Sequence, residues 1–193
     1  MTIRIDDSTR RQLLTDALQY HNAERPPDFV IGSPRDPYLQ RWFVVRKGLA
    51  WLSLLPEERR RILAEEDPRD DSAGGGNLFV HEFLRSDDDR ALHDHPWPWT
   101  TIILAGHYIE HVPADPDDPA GPTRQILRRE GDVVQRAAHD PHRVELIDQR
   151  GVITLFHTSA KVRDWGFWCH WGWRPWWEFV APDDSGRIGR GCE

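Results

Sequence analysis

His93-Asp94-His95-Pro96-Trp97-Pro98-Trp99-Thr100-Thr101, closed by Gly106, is the stretch on which the reading of this 193-residue chain turns. Two histidines one residue apart in an extended segment put both imidazoles on the same face of a strand, because successive side chains alternate. Asp94 then points the other way. Pro96 and Pro98 argue against a helix, since proline lacks the backbone donor and clashes with the preceding turn. Neutral imidazoles side by side suit a borderline transition metal such as Fe, Ni, Cu or Zn. A third ligand has to come from elsewhere, and His142 is the best candidate, with His139 in the preceding turn as its competitor. Parity carries Trp99, Thr101 and Ile103 to the histidines' face unless a bulge at the prolines breaks it. Trp99 and Thr101 would then wall a substrate pocket.

Outward from this stretch the pattern is β. Strands are expected over 77–85, 99–104, 107–112, 123–129, 132–136, 142–147, 152–157, 165–169 and 176–180, with a hairpin turning at Ala105-Gly106. Asp148-Gln149-Arg150-Gly151 reads as a tight turn, and 113–122, with its prolines and aspartates, as an exposed loop. Short strands at this spacing argue for a sandwich or barrel. Before them, 7–21 reads as an amphipathic helix capped by Asp7 or Ser8, with Leu13, Leu14, Ala17 and Leu18 as its apolar stripe. A strand follows over 38–46, a short helix over 56–66 and a glycine-ended loop over 67–76. The chain thus divides into an N-terminal helical and strand extension (1–76), a barrel (77–181) and a polar, loose tail (182–193).

A net charge of −7 gives no electrostatic reason to expect nucleic acid or an anionic membrane. No apolar run approaches the roughly 20 residues that span a bilayer, and residues 1–20 carry charges throughout, unlike a signal peptide. Cys169 and Cys192 are the only cysteines, and two free thiols in a reducing cytosol are expected. A cytoplasmic protein follows. Ten tryptophans are many for this length, and those from Trp165 to Trp177 suggest a packed flap over one end of the barrel. Cys169-His170 makes a poor second metal site, since neighbours on a strand face opposite ways. His81 and His107 read as ordinary strand or turn residues. His81-Glu82 begins a zinc-protease H-E-x-x-H motif, but Arg85 ends it.

With His93, His95, Gly106, Gly131 and His142 in place, the chain resembles the cupin superfamily over roughly residues 77–157. The usual motifs of that family read G-x5-H-x-H-x3,4-E-x6-G and G-x5-P-x-G-x2-H-x3-N. Here Asp87 replaces the opening glycine, Trp99 or Thr100 stands where a glutamate ligand belongs, Ala137 and His139 replace Pro and Gly, and Leu146 replaces the final asparagine. The resemblance implies an all-β fold, the cupin double-stranded β-helix or jelly-roll barrel, with N-terminal helical additions. It also implies, through the missing glutamate, a neutral three-histidine site of His93, His95 and His142. That pattern looks like the thiol dioxygenases and related mononuclear non-haem iron oxygenases. Its implied cofactor is Fe(II), with Zn, Ni or Mn as other occupants. Its implied partners are a small polar substrate and dioxygen, and three protein ligands would leave positions open for both.

In the thiol dioxygenases a histidine at a position comparable to His157 belongs to a Ser-His-Tyr relay. Leu155 and Ser159 flank it here, so only the histidine is kept, as a candidate for orienting substrate or a proton. Tyr38-Leu39-Gln40-Arg41 resembles the strand from which those enzymes present an arginine to the substrate carboxylate, making Arg41 a candidate substrate contact. Glu110 is a candidate catalytic carboxylate if it faces inward. The rival readings are a non-redox cupin isomerase, lyase or hydrolase using its metal as a Lewis acid, and a non-catalytic module for a small ligand. Many cupins dimerise through sheet edges, and a homodimer is expected here.

Overall fold

Leu78 and Val80 turn to one side of their strand and Phe79 and His81 to the other, yet all four are buried, so the sheet that contains them is covered on both faces. The computed structural model describes residues 3–19, 25–33, 35–45, 76–87, 91–148, 150–181 and 189–193. Its elements are β1 (Ile3–Arg4), α1 (Asp7–Leu18), β2 (Phe29–Ser33), β3 (Asp36–Val45), β4 (Asn77–Phe83), β5 (Leu92–His93), β6 (Trp99–Ala105) and β7 (Tyr108–Pro113). After them come β8 (Thr123–Arg128), β9 (Asp132–Arg136), β10 (Arg143–Leu146), β11 (Val152–Thr158), β12 (Gly166–Cys169), β13 (Gly172–Pro175) and α2 (Trp176–Phe179).

A seven-stranded antiparallel sheet runs in the order β1-β9-β6-β11-β4-β3-β2, and two three-stranded sheets, β10-β7-β8 and β13-β12-β5, complete the β-structure. From β4 onward the chain passes back and forth between the large sheet and the smaller ones, which is the winding of a double-stranded β-helix. Phe43, Phe79, Trp99, Ile103, Val134 and Phe156 of the large sheet meet Tyr108 and Val144 of the β10-β7-β8 sheet in one apolar core. The outer face of the large sheet, with Trp42, Val44, Leu78, Val80, Ile102, Leu104 and Leu155, is covered by Leu13 and Ala17 of α1. The fold of the described residues is therefore all-β, a double-stranded β-helix or jelly-roll barrel, with α1 packed on the outer face of its large sheet. Among the described residues no helix is long and apolar enough to cross a membrane.

Several expectations are corrected. The hairpin at Gly106 does not form: Gly106 has φ +81° and the chain turns there, but β6 pairs with β9 and β11 whereas β7 pairs with β8 and β10. The glycine carries the chain across from one sheet to the other. The helix starts one residue earlier than its expected caps, because Asp6 accepts from the Thr9 N–H at 2.9 Å. The strand expected over 176–180 is a helical turn, and the preceding strand is β13. The strands β1 and β2 were not expected; with β3 they extend the large sheet, so the N-terminal segment joins the barrel edge to edge. The helix expected over 56–66 lies outside the described residues, as does the loop over 67–76 except for Gly76.

The cysteines are a further correction. Cys169 and Cys192 form a disulfide, which closes the C-terminus back onto β12. The buried Arg174 guanidinium donates to the Gly191 and Glu193 carbonyls, and the Trp171 indole donates to the Cys192 carbonyl. These bonds account for the pairing: they bring the last residues alongside β12 and β13. Residues 189–193 are thus fastened, and the premise of two free thiols in a reducing cytosol falls away. The tryptophan-rich segment does form a packed unit, in which Phe167 stacks on Phe179 at 3.7 Å and Trp165 and Trp176 close around them.

Candidate metal centre

The His93-x-His95 stretch is extended but has almost no strand of its own. β5 is two residues long, held by β12 on one side through the His93–Phe167 register. On the other side His93 and His142 exchange both backbone hydrogen bonds, each 2.9 Å, as an isolated bridge. That bridge is the seam between the two small sheets. The His95 N–H donates to the Ala138 carbonyl, and the Pro96 carbonyl accepts from Val162, so the loop after the histidines is held from both flanks. Asp94 points the opposite way, as alternation requires. It is fully buried and accepts from Gly166 N–H, the Trp173 indole and Arg163, tying the histidine loop to the C-terminal unit.

The three imidazoles converge. One ring nitrogen from each of His93, His95 and His142 lies within 4.8 Å of the others. The Nε2 atoms of His95 and His142 are 2.9 Å apart, the span of two nitrogens that meet one ion at about 90° when each bond is about 2.0–2.1 Å. His142 is buried while His93 and His95 keep partial exposure, so the cluster is reached from outside. His139, the sequence competitor, is an exposed residue beside Asp140. Burial is the main force that presses His93 down to about 4, against the pull of Asp87 and with His142 assisting. Burial likewise holds His95 well below its ordinary value. Both rings are therefore neutral near pH 7, the state that binds metals.

Carboxylates stand behind two of the three rings. Asp87 Oδ2 is 3.8 Å from His93 Nδ1 and also accepts from the Val144 N–H. The residue in place of the motif's glycine thus braces both a candidate ligand and β10. Glu110 Oε1 is 3.4 Å from His142 Nδ1, and Glu110 also receives Arg128 and Arg136. Burial alone would raise its pKa, but the nearby His142 ring and the two arginines outweigh it and hold it at about 2. Glu110 lies behind the His142 ring, on the side away from His95. Its oxygens are committed to protein partners, and its geometry is that of a positioning residue for His142.

Trp99 packs against the cluster, its ring 4.8 Å from that of His142 and 5.4 Å from that of His95. Thr101 is buried on the same face and donates to the Leu155 carbonyl at 3.2 Å. Arg41, expected on the strand before the barrel, is directly opposite His81 on β4 and enters the same interior. His157 is placed apart from these residues. It alternates with Phe156, pairs in register with Leu78, and shares the α1-covered face with Leu155. His81 was the residue passed over. It is 2% exposed, stacks on Phe156 at 4.6 Å, and has no hydrogen-bond partner at either ring nitrogen. Its one sequence signal is a histidine flanked at two-residue spacing by Phe79 and Phe83, an interior pattern.

No family model matches the chain, and no curated protein matches it either. Solved structures do. The hydroxypropylphosphonic acid epoxidase from S. wedmorenis is 16% identical, over 47% of this chain and 46% of that one, with a TM-score of 0.37. A structure of FeII HppE in complex with substrate is 12% identical, over 71% of this chain and 58% of that one, with a TM-score of 0.43. The oxalate decarboxylase of Bacillus subtilis, described with Mn(II) centers, is 14% identical, over 75% and 30%, with a TM-score of 0.45. The chain spans less than two thirds of each of these proteins.

Proposed function

We propose that the chain is a mononuclear metal enzyme, an iron-dependent cupin oxygenase acting on a small polar substrate within the barrel. The observation that carries this reading is the meeting of His93, His95 and His142 around one point. The donor set fits such an ion on its own chemistry: three imidazole nitrogens, carboxylates beside two of the rings, and, among the described residues, no carboxylate within the cluster. When bound, Fe(II) would supply dioxygen activation. The protein's residues do the rest. Glu110 and Asp87 fix the rings, Trp99 and the phenylalanines exclude water, and Arg41 holds the charged end of the substrate. In support of that last role, Arg41 has no carboxylate partner among the described residues, and its guanidinium carbon sits 4.9 Å over the Phe79 ring.

Elemental analysis of the purified protein tests the reading, with oxygen uptake measured beside it. About one iron per chain, lost when His95 and His142 are replaced by alanine while the far-ultraviolet circular dichroism is unchanged, is the expected result. Zinc, nickel or manganese at the same stoichiometry, without oxygen uptake on any substrate, would replace the oxygenase with Lewis-acid chemistry. A folded protein that takes up no metal would end both.

A further inference from the structure

Arg41, His81 and Thr154 are direct cross-strand neighbours on β3, β4 and β11. Direct neighbours on one face of a sheet have Cβ atoms about 4.5–5.5 Å apart, so the three side chains form one short row across the inner wall of the barrel. Every member holds enclosed polar atoms without a partner: Nε of Arg41, both ring nitrogens of His81, and Oγ1 of Thr154. His81 and Thr154 are almost wholly buried. Around them the wall is aromatic, with Phe79, Phe83 and Phe156 within 4.6–5.9 Å of the His81 ring.

Buried polar groups in folded proteins are paired in the great majority of cases, and leaving one unpaired is costly. A phenylalanine and a valine would fill the places of His81 and Thr154 without that cost. Three adjacent unpartnered groups, aligned in register, are therefore unlike the isolated orphan that loose packing leaves. All three can donate. The guanidinium always can, neutral imidazole keeps one N–H, and the hydroxyl turns to suit. Burial, with the Arg41 charge adding to it, keeps His81 well below its ordinary pKa and hence neutral. One positive charge and two neutral donors form a site for a compact anion, as guanidinium groups pair well with oxyanions.

We propose that the Arg41–His81–Thr154 row is an oxyanion subsite, and that the substrate of the metal centre carries a carboxylate or phosphonate-like head bound there. This rests on the metal-enzyme reading for its second half only. The row lies beside the centre: Phe156 stacks on His81 and also packs 6.0 Å from the ring of His95. A head held on the row leaves the remainder of a small molecule directed to the histidines. His81 is thereby a substrate-contacting residue, giving the charge of Arg41 a direction.

The test titrates acetate and methylphosphonate, separately, into the protein as isolated and into the His142→Ala variant, following heat by calorimetry and indole fluorescence. Saturable binding is expected in both proteins, and the tighter of the two probes identifies the head group. Arg41→Met and His81→Phe should each weaken it at least tenfold, with metal content unchanged. His81→Gln, which restores an N–H donor, should bind within about threefold of the wild type. The proposal is overturned if neither probe binds the His142→Ala variant, if His81→Phe binds as the wild type does, or if His81→Gln is no better than His81→Phe. Metal-free wild-type protein that still binds the anion through Arg41 and His81 would sink the metal-enzyme reading while leaving the subsite standing.

Discussion

Oε1 of Glu110 lies 3.4 Å from Nδ1 of His142, on the far side of the ring from the nitrogen that approaches His95. The carboxylate favours the tautomer with its proton on Nδ1, leaving Nε2 free for an ion. Two arginines hold the carboxylate in turn, one on β8 and one on β9. A chain of charge therefore sets the aim of one imidazole.

Glu110→Gln breaks that chain with little change in shape. Metal affinity should fall about 10–100-fold, the usual loss when an outer partner of a ligating histidine is removed. Stability should fall by about 3–5 kcal/mol, because Arg128 and Arg136 lose the charge that compensates them. Competition with a chromophoric chelator and urea denaturation measure the two effects. Unchanged metal affinity would show that Glu110 does not position His142.

Removing the metal should loosen the seam that His93 and His142 close. An ion present at a hundred times its dissociation constant adds about 2.7 kcal/mol, so dialysis against a chelator should lower the denaturation midpoint and returning the ion should restore it. A midpoint indifferent to chelation would place the ion elsewhere or nowhere.

The Cys169–Cys192 bridge spans 23 residues of sequence. A loop of that size contributes about 3 kcal/mol by restricting the unfolded chain. Cys192→Ser, or treatment with a reductant, should lower the urea midpoint accordingly. A thiol-reactive dye should find no free thiol in the untreated protein. Two titratable thiols in non-reduced, folded protein would contradict the structure.

Asp94→Asn should unfasten the tryptophan-rich unit from the histidine loop. The carboxylate is buried with Arg163, Trp173 and the Gly166 N–H as its partners, so losing its charge should cost about 3–5 kcal/mol. Limited proteolysis should then cut the segment after Ser159 faster than in the wild type. Equal cleavage rates would mean that Phe167 and Phe179 hold the unit unaided.

The convergence of His93 and His95 was legible because alternation on an extended chain is a local rule, and it brought Trp99 and Thr101 inward too. His142 was reachable through its spacing from Gly131. Glu110 was not, since its facing depends on Arg128 and Arg136, which neighbouring strands bring to it. His157 was proposed by likeness of position, and strand parity relative to Phe156 puts it on the face covered by α1. His81 escaped notice for a different reason: a histidine among phenylalanines looks like filler until its nitrogens are seen to lack partners. The crossing at Gly106 and the cysteine pairing were hidden for one shared cause. Both are decided by which distant strand lies alongside, and nothing near Gly106 or Cys169 in the sequence records that.

The paired backbone bonds between residues 93 and 142 carry an implication for biosynthesis. The imidazoles cannot meet until the ribosome has released both segments, and β12, which backs residue 93, is made later still. Closure between such distant segments is slow, since loop entropy must be overcome first. An ion held by these imidazoles would therefore be acquired only after residue 142 and the strand behind residue 93 have both emerged.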